Sequence, residues 1–300
     1  MGRNVSINKI SAREGEGVYQ VSTKDVAEYH DRGYWISPKL IDDAQIKRLR
    51  TGLERIFRGD IDGDGWPYEN ELAKLPDDPH AVRMLTNGWW INQQVRNLVL
   101  GSKLGRVAAA LMQIPAIRLW HDQVVWKPPI GNVATNAGNI GWHQDYAYWN
   151  CTSTTNMITA WVALQDTDLT NGGMRTLVGS HRCGLVEEAD TFFDQDLDAL
   201  AHRFAQHVGD RWIDEPCVLK AGQVSFHHPL CFHGSGPNTS DQPRLCVIAH
   251  YMPADCAYKS GRRFHRNIRF LGPYPRDGQV FENETFFHWS TSRSTCHTGN

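Results

Sequence analysis

The stretch IRLWHDQVVWK, residues 117–127, is rich in β-branched and aromatic side chains and predicts a β-strand. Four similar runs follow, separated by Gly, Pro, Asn and Asp, and they cover residues 157–164, 174–178, 217–226 and 245–252. Many short strands without crossover helices between them are typical of an antiparallel sandwich. We therefore expect a double-stranded jelly roll in this half of the chain.

Helical spacing dominates the chain before residue 115. Residues 22–35 and 42–57 predict two helices, with Ser22 or Thr23 as the N-cap of the first, and residues 92–111 return to helical spacing. Residues 190–207 predict a helix inserted between strands. The expected fold is α+β, with a double-stranded β-helix (jelly-roll, cupin-like) core and with N-terminal and inserted helices.

We expect one domain over residues 1–300. Its parts are a helical layer at about 20–112, the jelly-roll core at about 115–255 and a C-terminal extension at 256–300.

Composition and charge exclude several classes of protein. The 31 Lys and Arg residues nearly balance 33 Asp and Glu residues, so the charge does not favour a nucleic-acid partner. The opening residues lack a signal-peptide pattern, and no apolar run approaches the length of a membrane span. The seven cysteines never form C-x-x-C, which indicates reduced thiols. We expect a cytoplasmic protein with a small-molecule substrate, and no nucleic acid or membrane partner.

Two histidines and an aspartate are candidate metal ligands. His143 and Asp145 lie two residues apart in GWHQD, so an extended strand would present both side chains on one face. His233 follows a later apolar strand, and facing strands could bring it to the first pair. Two imidazoles and one carboxylate form the facial triad of non-haem Fe(II) oxygenases. A core role for such histidines is the alternative.

Arg244 and Ser235 accompany the second histidine. A guanidinium suits bidentate binding of a carboxylate, and the Ser235 hydroxyl could bind the same group. A surface ion pair is the alternative for Arg244. Alternation along residues 117–127 places His121 and Gln123 on one face with Lys127.

Three ordered segments carry a resemblance to a known family. GWHQDYAYW, AWVALQDTDLTNGGMRTLVGSHR and HHPLCFHGSGPNTSDQPR together resemble the phytanoyl-CoA dioxygenase family, and the similarity extends over about residues 20–255. The resemblance implies Fe(II), 2-oxoglutarate and O₂, with His143, Asp145 and His233 as catalytic iron ligands. It also implies that Arg244 and Ser235 hold the distal carboxylate of 2-oxoglutarate.

The implied reaction is oxidative decarboxylation of 2-oxoglutarate to succinate and CO₂, coupled to hydroxylation of a C–H bond in a small-molecule metabolite. Because halogenases of this superfamily lack the carboxylate ligand, Asp145 favours hydroxylation over chlorination. The resemblance further makes His121 and Gln123 candidates for contacts with the co-substrate or substrate.

Candidate substrate contacts come from the aromatic residues after the metal pair. Tyr146, Tyr148 and Trp149 could line the pocket, although most tryptophans must belong to the core. A basic cluster could meet an anionic substrate or could be solvated surface; it comprises Arg262, Arg263, His265, Arg266 and Arg269.

Two other functions stay open. A non-oxidative cupin-like metalloenzyme, such as an isomerase, would keep the triad without needing Arg244. A calcium-binding regulatory module would use Asp60, Asp62, Asp64 and Glu71, which match the spacing of an EF-hand loop.

Overall fold

The computed structural model describes residues 19–63, 65–66, 71–131, 138–209, 212–283 and 287. The α-helices in these residues are α1 (Thr23–Arg32), α2 (Asp43–Phe57), α3 (Gln93–Val99), α4 (Ser102–Leu111), α5 (Tyr146–Trp149) and α6 (Leu197–Val208). The strands are β1 (Tyr34–Ile36), β2 (Arg83–Thr86), β3 (Ile117–Lys127), β4 (Ile140–His143), β5 (Ile158–Ala163), β6 (Arg175–Leu177), β7 (Asp214–Pro216), β8 (Val224–His227), β9 (His233–Ser235) and β10 (Arg244–Pro253). No helix in the described ranges is long and apolar enough to cross a membrane.

Two antiparallel sheets form the core. One has six strands in the order β1-β8-β5-β10-β3-β2, and the other has four in the order β4-β9-β6-β7. This arrangement confirms the predicted jelly-roll fold with N-terminal and inserted helices. The strand at residues 117–127 has the predicted bounds and pairs with β10 along its length.

The six-stranded sheet separates the helical layer from the interior of the sandwich. Along β10, Leu245, Val247, Ala249 and Tyr251 pack in the same apolar cluster as residues of α1 to α4. Because side chains alternate along a strand, Arg244, Cys246, Ile248 and His250 face the other sheet. β5 alternates in the same way, so Thr159 and Trp161 also face the interior, where Trp161 lines a cavity with Ile248 and His250. The sheet thus carries an apolar outer face and a mixed inner face, on which Arg244, Thr159 and His250 lie among apolar side chains.

The N-terminal helix begins as predicted but ends earlier. Ser22 and Asp25 form a reciprocal capping box, and Gly33 ends α1 in the left-handed conformation with φ of 80°. The expected continuation of the helix to residue 35 is wrong, because Tyr34–Ile36 pairs with β8 as an edge strand.

Three further boundaries differ from expectation. The helical pattern over residues 92–111 is divided at Gly101, whose backbone is extended and caps α4. The inserted helix starts only at Leu197, because Phe192 accepts a backbone hydrogen bond from Gly141 of β4. The run over residues 217–226 is interrupted by a turn at Gly222, where φ is 87°.

Candidate metal centre and adjoining pocket

His143 and His233 face each other across two paired strands. His143 on β4 is the register partner of His233 on β9, and their ring centroids are 4.2 Å apart. Each ring is oriented through Nδ1, which lies 2.7 Å from the carbonyl of Gly141 in His143 and 3.0 Å from that of Cys231 in His233. Metal-binding histidines are commonly oriented by such contacts, which leave Nε2 available. Both Nε2 atoms point toward one carboxylate.

Asp145 supplies that carboxylate, although it does not lie on the strand. β4 ends at His143, and Asp145 has helical backbone angles (φ −54°, ψ −40°) at the start of α5. Its Oδ1 lies 3.6 Å from His143 Nε2 and 3.7 Å from His233 Nε2. The expectation that both members of the H-x-D pair leave an extended strand is therefore wrong. The strand-to-helix turn instead brings the carboxylate back toward the two rings.

The three side chains could hold a metal ion. One ligand atom from each of His143, Asp145 and His233 lies within 4.8 Å of the others, and all three residues are buried. Among the described residues this is the only such cluster of His, Cys, Asp and Glu. Three protein ligands leave coordination positions for a co-substrate and O₂ if an octahedral metal such as iron binds here.

The outer oxygen of Asp145 is held by residues that sequence analysis missed. Thr159 Oγ1 donates to Asp145 Oδ2 at 2.7 Å, and His227 Nε2 lies 3.4 Å from the same oxygen. These contacts leave Oδ1 facing the two histidines. Alternation could have found Thr159, since it shares the inner face of β5 with Trp161. No sequence signal distinguished His227 from the adjacent His228.

A second row of polar residues continues behind Thr159. His250 Nδ1 lies 2.9 Å from Thr159 Oγ1, and His250 Nε2 lies 3.4 Å from the side-chain amide of Gln123. The His121 ring is 4.3 Å from the His250 ring between centroids. Gln123 lines the cavity beside the triad, whereas His121 contacts it through His250. The structure thus brings both predicted residues close to the candidate centre, in different positions.

Electrostatics favour an anionic Asp145 and neutral imidazoles at His233 and His121. Burial by itself would raise the pKa of Asp145, but His233, His143 and His227 hold it well below its usual range. Burial, together with the proximity of His143, lowers the pKa of His233. Burial lowers the pKa of His121 to about 3. Ionised carboxylate and neutral imidazole are the protonation states in which these groups bind metals.

Arg244 lines the same cavity as the triad. Its side chain is buried, with the guanidinium carbon 5.1 Å from the centroid of the Trp161 ring and Nη1 3.2 Å from Cys246 Sγ. Within the described residues it pairs with no carboxylate, and its buried Nε atom has no hydrogen-bond partner. A buried guanidinium without an anion is costly, so this end of the cavity fits an anionic ligand.

A buried lysine supports Ser235. Lys127 is fully buried and is the register partner of Arg244 across β3 and β10. Burial, together with the nearby Arg244 guanidinium, lowers the pKa of Lys127 well below its usual value. Its Nζ lies 2.6 Å from Ser235 Oγ, 2.5 Å from Gly236 O and 3.3 Å from Gly172 O, and it donates to Ser235. Because Ser235 accepts from Lys127, its own hydroxyl proton remains available to a ligand in the cavity.

The predicted substrate aromatics occupy three different environments. Trp149 is buried beside His250, with the ring centroids 4.6 Å apart. Tyr146 is buried, and its hydroxyl donates to the carbonyl of Thr152. Tyr148 accepts a hydrogen bond from the Phe192 backbone and lines a separate, more open cavity. None of the three lines the cavity of the triad, and substrate contact by them stays a prediction.

Three of the four predicted calcium ligands form ion pairs with arginines. Arg55 pairs with Asp60 and Asp62 at 2.8 and 3.0 Å, and Glu71 pairs with Arg266. Asp64 lies outside the described residues. Since three of the four carboxylates already have cationic partners, the described geometry does not favour a calcium loop.

The fold and the candidate centre define a cupin-like, metal-dependent oxygenase class of protein. The model of the phytanoyl-CoA dioxygenase family matches residues 29–246, and the chain therefore belongs to that family. This confirms the resemblance of the three sequence segments.

Known relatives and solved structures agree with this membership. Phytanoyl-CoA dioxygenase, peroxisomal, of Rattus norvegicus is 26% identical over 246 residues, covering 77% of this chain and 68% of the relative. The alpha ketoglutarate dependent carbocyclase SnoK from nogalamycin biosynthesis is 22% identical with a TM-score of 0.69, covering 90% of this chain and 97% of SnoK. The epimerase SnoN, solved with Fe³⁺, alpha ketoglutarate and nogalamycin RO, is 22% identical with a TM-score of 0.68, covering 89% and 97%. The neighbours share the fold and differ in reaction outcome.

Proposed function

We propose that this protein is an Fe(II)- and 2-oxoglutarate-dependent dioxygenase. It hydroxylates an unactivated C–H bond of a small-molecule metabolite and releases succinate and CO₂. The assignment rests on family membership together with one observation: Arg244 is buried without a carboxylate partner in the described chain, in the cavity that His143, Asp145 and His233 line.

In this proposal the three buried side chains hold the iron. His143 and His233 bind through Nε2, since both Nδ1 atoms face backbone carbonyls, and Asp145 binds through Oδ1. When bound, the iron activates O₂ for oxidation of the co-substrate and substrate. The protein supplies a fixed set of ligands and a largely buried cavity that excludes water.

Arg244 and Ser235 bind the distal carboxylate of 2-oxoglutarate. The guanidinium supplies charge and paired donors, and the Ser235 hydroxyl adds a third donor because Lys127 occupies one of its acceptor positions. The buried Arg244 guanidinium gains the anion that the described protein residues do not provide. Gln123 belongs to the polar wall on which substrate or co-substrate packs, and His121 lies behind that wall against His250. Tyr146, Tyr148 and Trp149 shape the substrate side.

We also propose that residues 1–300 form one domain. One continuous apolar cluster joins the helices α1 to α4 to the six-stranded sheet, which supports this division.

The alternatives are less well supported by this geometry. A non-oxidative isomerase would have no use for a buried Arg244 beside Ser235 and Lys127. A different oxidative outcome, of the kind named for SnoK and SnoN, would use the same cavity, and product analysis distinguishes it from hydroxylation.

Titration of 2-oxoglutarate into the anaerobic Fe(II) protein tests the proposal. A charge-assisted hydrogen bond contributes about 1.5–3 kcal/mol, so Arg244→Ala should weaken binding by roughly 10- to 150-fold. Arg244→Lys should restore only part of this affinity, because an ammonium cannot reproduce the planar fork. Arg106→Ala, an exposed position on α4, serves as the control and should match wild type. Equal affinity in wild type and Arg244→Ala would refute the co-substrate assignment.

The reaction itself is tested by screening metabolites for compounds that stimulate succinate release from 2-oxoglutarate. Mass spectrometry of the stimulating compound should show the gain of one oxygen atom. A product without added oxygen would contradict hydroxylation and favour another oxidative outcome.

A further inference from the structure

A second cavity of about 360 Å³ lies beside the candidate metal centre. Its walls combine aromatic and basic side chains, which are Tyr148, Phe193, Phe264, Arg263, Arg266 and Arg269. Four of the five members of the predicted basic cluster, all except Arg262, therefore line this concave surface, with His265 as the fourth.

The two cavities are separated by a thin layer of side chains. Phe192 lines the cavity of the triad, and the adjacent Phe193 lines the second one, with their ring centroids 5.0 Å apart. Tyr148 lines the second cavity, and its ring centroid is 6.3 Å from that of His143. A molecule in the second cavity would therefore lie next to the candidate metal ligands.

The arginines are held in place by neighbouring groups. Arg263 lies over the Tyr148 ring at 5.0 Å and pairs with Asp190, while Arg266 pairs with Glu71. Arg269 lies over the Phe264 ring at 5.6 Å and forms no ion pair with the described part of the chain. The cavity thus contains one guanidinium, that of the exposed Arg269, whose charge is not compensated by a carboxylate of the described residues.

The aromatic rim is unusually open to solvent. Phe193 is 76% exposed and Phe264 is 61% exposed, although large apolar side chains lose favourable free energy in water. Exposed aromatic groups beside arginines are typical of binding surfaces. Phe193 and Phe264 are placed to contact the apolar part of a ligand while the Arg269 guanidinium binds its anionic group.

We propose that this cavity binds the anionic end of the substrate. This inference rests on the proposed function, because it assigns a substrate class to the same centre. The substrate carries a phosphate or carboxylate group on an apolar body; Arg269 binds the anion, and the aromatic rim, which includes Tyr148 beside the His143 ring, contacts the body.

The test uses 1-naphthyl phosphate as the probe and 1-naphthol as its neutral counterpart. Each is titrated by calorimetry into the anaerobic Fe(II) protein, with and without saturating 2-oxoglutarate. Naphthyl phosphate should bind under both conditions, and naphthol should bind at least about fivefold more weakly because it lacks the anion. A parallel titration with 1-naphthoate shows whether the cavity prefers a phosphate or a carboxylate.

Arg269→Gln should weaken naphthyl phosphate binding by about 5- to 20-fold, as expected for loss of one partly exposed charged donor. Arg276→Gln is the matched control, because Arg276 is exposed on the same C-terminal segment and does not line the cavity. It should leave probe affinity within about twofold of wild type.

Three outcomes would overturn the proposal: no probe binding, equal binding to wild type and Arg269→Gln, or displacement of the probe by 2-oxoglutarate. Displacement would place the probe in the Arg244 cavity. Titration of 2-oxoglutarate into the same samples separates this inference from the proposed function. If 2-oxoglutarate binds normally and the probe does not, only the substrate assignment fails.

Discussion

Replacing Thr159 by Val removes one hydrogen bond to Asp145 and nearly preserves side-chain shape. Thr159 Oγ1 donates to Asp145 Oδ2 at 2.7 Å, and both side chains are buried. The bond holds the outer oxygen away from the two histidines, which leaves Oδ1 as the atom that faces them. We therefore expect Thr159→Val to weaken metal binding although Thr159 is not itself a metal ligand.

The size of the effect follows from the charge and burial of the contact. A hydrogen bond to a charged group contributes about 1.5–3 kcal/mol, which corresponds to roughly 10- to 150-fold in affinity. Loss of residues that orient metal ligands commonly costs about 10- to 100-fold in metal affinity. We expect a loss of Fe(II) affinity within the overlap of these ranges, about 10- to 100-fold.

Competition calorimetry with Fe(II) and Co(II) under anaerobic conditions measures the change. Thr159→Ser keeps the hydroxyl and should retain affinity close to that of wild type. Thr167→Val is the matched control, because Thr167 is also buried and its hydroxyl donates to the carbonyl of Gln165, away from the centre. Thermal unfolding of each variant without metal separates loss of the fold from loss of the ligand geometry.

An unchanged metal affinity in a folded Thr159→Val protein would refute the reasoning. So would an equal loss of affinity in Thr167→Val, because that result would assign the effect to general destabilisation of the core.

Further predictions concern the ligands, pH and packing. His143→Ala, Asp145→Ala or His233→Ala should each abolish turnover and lower Fe(II) affinity while the circular dichroism spectrum stays folded; near-normal turnover in one variant would show that its residue is not a ligand. Burial raises the pKa of Asp122 from 3.8 to about 7, so the folded state binds a proton that the unfolded state lacks between these values. The free energy of unfolding should therefore fall as pH rises through this interval, and Asp122 should account for up to about 4 kcal/mol of the fall. Urea unfolding measured across this pH range should show a smaller fall in the free energy of unfolding for Asp122→Asn than for wild type. A Cβ atom at Gly141 would lie 2.0 Å from the Thr191 carbonyl oxygen. Gly141→Ala should therefore lower the free energy of unfolding by about 1–3 kcal/mol. An unchanged midpoint of urea unfolding would contradict this packing.

Much of the fold was predictable because strand alternation and helix capping are local properties. The run at residues 117–127 forms β3 with the expected bounds, and Ser22 caps α1. The predicted helix boundaries were wrong where a distant segment forms hydrogen bonds with the backbone. Tyr34 and Trp35 lie in a strand and not in the predicted helix, because they pair with β8. The segment before Leu197 is not helical because it bonds to β4.

The candidate site likewise has a part that was predictable from the sequence and a part that was not. His143, Asp145, His233 and Arg244 were recognisable from residue type and motif spacing, because metal and carboxylate binding require particular chemical groups. The route by which Asp145 reaches the histidines was not recognisable, since it depends on a strand ending at His143 and a helix starting three residues later, with Asp145 as its N-cap.

The sequence by itself determined the family, the class of fold and the chemical groups at the candidate centre. Only the tertiary structure decided which residues orient those groups. Thr159, His227 and Lys127 carry no motif, and each acts through an atom that long-range strand pairing brings within about 3.4 Å of Asp145 or Ser235. Tertiary packing also decided that Arg244 is buried without a carboxylate partner among the described residues. Burial and pairing depend on every segment that surrounds a side chain, not on its own neighbours in sequence.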